Sequence, residues 1–310
     1  MSDQQKERTV LSEKVWPVIR VLIVQAILFI GILGNLAAWG VFVLVIDKLH
    51  WMDVDFHGKT LETISPDGRV LGICVLILTN LVLVLLAWRV LERKRISEML
   101  LDFKNRWGRA LGWGLAAGLA EVILVYGILW ISGVVEVDLG LHRVDGGVWG
   151  VAFGWLLGSS ILAPISEEVW YRGYIFQNIK RGWGVAAGVV VNALVFGGLH
   201  LLNPNAELLG AVNIMLSAVI WTLGLLWFKS LWFPIGWHAA WNFAQFFFMG
   251  LPNSGYTVSD LGLNGTTLLV SELSGADWLV GGEFGMEASG VKTIVLLAAL
   301  VVMVIVKKKD

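Results

Sequence analysis

The chemistry-bearing residues lie in three short stretches: Ser166-Glu167-Glu168-Val169-Trp170-Tyr171-Arg172, Phe196-Gly197-Gly198-Leu199-His200 and His238-Ala239-Ala240-Trp241-Asn242. All three sit in apolar surroundings, where ionisable groups are expensive and mark functional sites by default. Peptide hydrolysis needs an activated water and donors for the tetrahedral oxyanion. Glu167, aided by His200, can take the water proton and pass it to the leaving amine, while His238 and Asn242 can donate to the oxyanion. Glu167, His200 and His238 are also legitimate zinc ligands, with water as the fourth. The zincin motif H-E-x-x-H is missing, and no intramembrane Ser sits in a G-x-S-x-G elbow. There is no P-loop, dinucleotide fingerprint or pair of intramembrane aspartates, and nothing beyond Gly158 supports a nucleophile at Ser159 or Ser160.

Helical phase separates the two acids. Glu168 and Arg172 are four apart and share a face, so they can pair. Glu167 is turned about 100° from Glu168 and cannot share that pair fully. A carboxylate without a cation in an apolar setting has the proton affinity that a general base near neutrality needs. Ser166 and the two glutamates could instead merely cap a helix broken by Pro164, but capping does not call for Arg172. His238 and Asn242 share a face of another helix.

The elements that must position these residues are membrane helices. Hydrophobic residues make up 57% of the 310 and charged residues 15%, against roughly a quarter in soluble domains. Eight windows approach the ~20 apolar residues of a span: 17–46, 70–88, 109–131, 148–180 (broken), 184–200, 208–228, 231–249 and 291–306. The first is too long for a signal-peptide core and reads as a permanent span. Lys and Arg divide 16 against 4 between alternate connecting segments, which places both termini in the cytoplasm and the acidic stretches 47–68 and 251–290 outside. Lys48, Lys59, Arg69 and Arg143 form the minority set. The fold expected is all-α, a single polytopic bundle over residues 1–310. The net charge of −1 argues against a nucleic-acid partner, which would want a basic excess. Cys74, the one cysteine, allows no disulfide and reads as packing.

Counting along the chain tests whether the groups can meet. With a turn at Gly182-Trp183-Gly184, Glu167 lies 16 residues before Trp183 and His200 17 after it, each roughly 25 Å from the turn. From a second turn at Ser230, His238 and Asn242 stand only roughly 12–18 Å up, a gap that tilt or a kink at Pro164 would have to close. Glu121, mid-span in the third window, could pair with Arg172, line a cavity or face water. Asn80, Asn192 and Asn213 read as interhelical hydrogen-bond groups, and Gly112–Gly118 as a close helix contact. Of the 17 tryptophans, Trp16, Trp51, Trp88, Trp107, Trp149, Trp183 and Trp232 lie near span ends, as in an interfacial belt. Trp170, Trp237 and Trp241 flank the polar groups and could line a cavity or simply pack. The long segment 250–290 could be a lid or a cover.

Together, Glu-Glu-x-x-x-Arg at 167–172, Phe-x-x-x-His at 196–200 and His-x-x-x-Asn at 238–242 resemble the three motifs of the CAAX-protease and bacteriocin-processing (CPBP) family, which includes the Rce1-type endopeptidases. The likeness is strongest over a core of about 148–256 and continues weakly through Gly281-Gly282-Glu283-Phe284-Gly285-Met286-Glu287, which looks like the tail of bacterial members. It implies an eight-helix intramembrane endopeptidase with Glu167 and His200 activating water and His238 and Asn242 holding the oxyanion, supported by Glu168 and Arg172. It also implies a peptide or protein substrate, lipidated or membrane-anchored in some members, and a prokaryotic cytoplasmic membrane. Glutamic chemistry without a cofactor is expected ahead of the zinc version. The rival expectations are a non-catalytic immunity or scaffold protein that kept the fold, and a transporter using the carboxylates as a proton relay.

Overall fold

A computed structural model describes residues 11–48, 66–104, 107–140, 149–258 and 266–307. The termini, Trp51 and Arg143, and most of the 47–68 stretch lie outside the described residues, so the predicted placement of both ends is not addressed by it. Helices cover every predicted window. They are α1 (Trp16–Lys48), α2 (Pro66–Val90), α3 (Trp107–Ile131), α4 (Trp149–Leu157), α5 (Ala163–Glu168), α6 (Gln177–Leu199), α7 (Leu208–Phe228), α8 (Trp232–Asn242), the short α9 (Asp277–Val280) and α10 (Gly290–Lys307). Among the described residues, five helical runs are long and apolar enough to cross a membrane. One of them, Ala152–Leu202, doubles back at Gly184, whose φ of 88° and ψ of 172° only glycine adopts readily, at the turn predicted there. Apolar side chains project outward along α1, α2 and α10, as expected of surfaces facing lipid.

The predicted break at Pro164 does not occur. Helical backbone continues through it, flanked by two π-helical stretches, Gly158–Leu162 and Val169–Phe176. Proline has no N–H and its ring crowds the carbonyl one α-turn back. The wider π-turn, in which Ala163 N–H bonds Gly158 O, accommodates it within continuous helical backbone.

The glycine-rich contact forms as read. α3 packs along α8, and a Cβ at Gly114 or Gly118 would overlap the α8 backbone at Phe233 or Trp237. This close approach sinks α8 into the bundle. Gly112 faces open space and plays no part in it. Asn192 Nδ2 donates to Thr222 Oγ1 at 3.1 Å, joining α6 to α7, and Asn213 Nδ2 donates to the carbonyls of Glu287 and Ser289. Trp88 departs from the belt: it is fully buried and donates to Arg95 O, whereas Trp183 is exposed as expected.

The all-α expectation missed one feature, an antiparallel ribbon of β1 (Val135–Leu139) and β2 (Leu269–Leu273), with Val135 opposite Leu273 and Leu139 opposite Leu269. Tyr126 on α3 hydrogen-bonds Ser271 and ties the ribbon down. The described part of 251–290 is a packed cover. Glu287 is buried and accepts from Ser254 N, Ser254 Oγ and Gln245 Nε2 at 2.7, 3.0 and 3.1 Å, and Gly255 N bonds Phe284 O.

Candidate active site

The two glutamates at the end of α5 diverge as helical phase requires. Glu168 and Arg172 are completely buried, and Arg172 Nη1 donates to Glu168 Oε1 at 3.0 Å. The same carboxylate oxygen lies 3.1 Å from His238 Nδ1. The Glu167 side chain keeps 32% of its surface, its Oε2 has no hydrogen-bond partner in the protein, and it stands 3.9 Å from His238 Nε2. His238 thus bridges the two acids, one through each ring nitrogen.

Aromatic rings hold the charged groups in place. The Arg172 guanidinium lies over Phe196 and Trp221, at 4.3 and 5.2 Å from the ring centres. His238 stacks on Trp221 at 4.7 Å, and His200 meets Phe196 edge-on at 4.7 Å. Phe196, read in the sequence only as part of a spacing, therefore contacts residues on three different helical segments. Trp221 was not singled out at all. It lies in a helix without an ionisable residue to signal it.

His200 occupies the short 3₁₀ turn that ends α6, with Nδ1 2.7 Å from Phe196 O. A proton on Nδ1 satisfies that carbonyl and leaves the lone pair on Nε2. Asn242 Nδ2 donates to Ser159 O at 3.0 Å. In the register set by Gly158 and Ala163, Ser159 O would bond the N–H of Pro164, which does not exist. Asn242 serves that orphan carbonyl, and its second amide N–H remains for another acceptor.

Glu167, His200, His238 and Asn242 line one cavity of about 350 Å³, although they come from three helical segments. The depth gap left by counting residues is thereby closed, because α8 is drawn into the bundle by its glycine contact with α3. Glu168 and Arg172 stand behind the wall. Trp170 lines the cavity, whereas Trp237 and Trp241 pack elsewhere. Asn80 is a cavity residue rather than an interhelical tie. Cys74 packs against Gly158, as expected. Glu121 does not meet Arg172. It pairs with Lys292 at 3.5 Å and accepts from Trp237 Nε1 at 2.6 Å. Among the described residues, no three His, Cys, Asp or Glu side chains are grouped to hold a metal ion.

Residues 148–244 match the family model described as type II CAAX prenyl endopeptidase Rce1-like. The chain carries an Rce1-like domain. No curated protein and no solved structure matches the chain. The Rce1-like segment contains all four cavity residues proposed from spacing, and the match supports the resemblance to the CAAX-protease and bacteriocin-processing family. Such a domain implies an intramembrane protease acting on a peptide or protein in the membrane, and the apolar helices agree with an integral membrane protein.

Proposed function

We propose that this Rce1-like protein is an intramembrane endopeptidase of the glutamic type, with Glu167 as the general base. One observation carries the reading: of the two acids, Glu167 is the one that lines the cavity shared by His200, His238 and Asn242, and its Oε2 has no hydrogen-bond partner in the protein. A water between Glu167 and the His200 Nε2 lone pair loses its proton to Glu167 as its oxygen attacks the scissile carbonyl. With both ring nitrogens protonated, His238 holds Glu168 through Nδ1 and offers Nε2–H to the oxyanion. The free N–H of Asn242 is the second donor. Collapse of the intermediate breaks the C–N bond, and the proton on Glu167 passes to the leaving amine. Glu168 and Arg172 orient His238 from behind the wall. No step passes through a metal.

The test is cleavage of a peptide library by detergent-purified protein, compared with Glu167→Ala and His238→Ala. Cleavage lost in both variants is expected; cleavage unchanged in either would sink the assignment. Full activity after exhaustive chelation, with metal analysis of the same sample, is the expected result, and activity restored only by added zinc would overturn the metal-free mechanism. Proton-coupled uptake into liposomes that needs Glu167 would support the transporter instead.

A further inference from the structure

Several buried polar atoms around the cavity have no partner in the protein. Asn80 Oδ1, Trp155 Nε1, Trp170 Nε1 and Asn253 Nδ2 are buried without a hydrogen bond, and all four residues line the cavity that holds Glu167. They come from α2, α4, the π-helical stretch after α5 and the segment beyond α8, so they approach from different sides. Buried polar groups are normally paired, and several unpaired ones around one cavity call for an explanation.

A peptide bond becomes open to attack only where its chain is extended. In an apolar medium, unwinding leaves backbone N–H and C=O groups that must find partners. The four side chains are suited to that need. Each asparagine amide can both accept and donate, and each indole N–H can donate to a carbonyl. The remaining wall includes Ile73, Leu76, Ile77 and Phe246, which suits uncharged side chains.

We propose that Asn80 and Asn253, with the indoles of Trp155 and Trp170, form a subsite that holds the backbone of an extended, uncharged peptide stretch beside Glu167. These are positioning residues for the substrate, and the proposal rests on the peptidase reading.

Amide-to-ester substitution tests it. In a cleaved peptide of uncharged residues, backbone N–H groups flanking the scissile bond are replaced one at a time by ester oxygen. The wild type loses about tenfold in kcat/KM at one or more of these positions, the worth of one hydrogen bond. Asn80→Leu loses a similar factor on the all-amide peptide, chiefly through KM, and no longer distinguishes ester from amide at one of those positions. Asn253, whose unpartnered Nδ2 would donate to a substrate carbonyl, is read through the weaker acceptor that an ester carbonyl makes: Asn253→Ala no longer distinguishes ester from amide at the position whose carbonyl it holds, and, lying outside the long helices, it keeps the test open if Asn80→Leu lowers the folded yield. Ester discrimination undiminished in both variants overturns the subsite while leaving the peptidase intact. Absence of any Glu167-dependent cleavage by the wild type overturns the peptidase reading itself.

Discussion

Two buried acid–base clusters lie on adjoining faces of α8, and they use their charges differently. On one side, Glu168 holds both Arg172 and His238 through a single oxygen, and Glu167 is left lining the cavity. On the other, Glu121 has both oxygens engaged, one by Lys292 and one by the Trp237 indole, and the Lys292 ammonium also rests on the Trp241 ring at 3.1 Å. Trp237 precedes His238 and Trp241 precedes Asn242, so the closed cluster braces the face of α8 next to the one that serves the open cluster. An ionisable group within a membrane span is therefore not a reactive group by residue type alone. The partners it has left over decide.

The largest effect expected from breaking this contrast is in the open cluster. Glu167→Gln should lower kcat by about 10³-fold, the usual weight of a general base, without lowering the unfolding midpoint. A matching loss of stability would mean that Glu167 is structural. Next comes the closed cluster. Lys292→Met should destabilise by about 3–5 kcal/mol in a denaturant titration, because Glu121 is left buried without its cation. The double variant Glu121→Gln/Lys292→Met should recover most of that loss, since the amide oxygen still accepts from Trp237. Equal destabilisation of the single and double variants would contradict the pairing. Arg172→Lys keeps the charge but loses the flat guanidinium over Phe196 and Trp221, and kcat/KM should fall about tenfold. The smallest effect belongs to a polar group with no ionic role. Asn192→Leu should cost about 0.6 kcal/mol, the mean for an interhelical hydrogen bond in a membrane protein, with activity unchanged.

Local rules made much of this readable in advance. A four-residue spacing put Arg172 on Glu168 rather than Glu167, and the glycines at 114 and 118 marked the face on which α3 meets α8. Residue counts set Glu167 and His200 at one depth. The features that escaped are those with no local signature. Lys292 sits at the start of the last apolar window, where cations are ordinary, and nothing nearby reveals that Glu121 waits for it some 170 residues upstream. Trp221 and Asn80 owe their positions to neighbours on other helices, which single-helix phase cannot supply. The strands of five residues each are too short for an alternating pattern to stand out between helices. Pro164 misled because proline ordinarily ends a helix, and the π-turn that carries helical backbone through it has no sequence pattern of its own.

That widened turn changes which mutations the segment can tolerate. Between Trp155 and Glu167 it accommodates an extra residue per turn, so the facing of everything upstream depends on the count of residues as well as their identity. Removing one residue from Gly158–Leu162 would turn the preceding helix by about 100° relative to Glu167. The Ser159 carbonyl would then swing away from Asn242, and Trp155 away from the cavity. A single-codon deletion in this stretch, though it leaves every charged residue in place, should silence the protein.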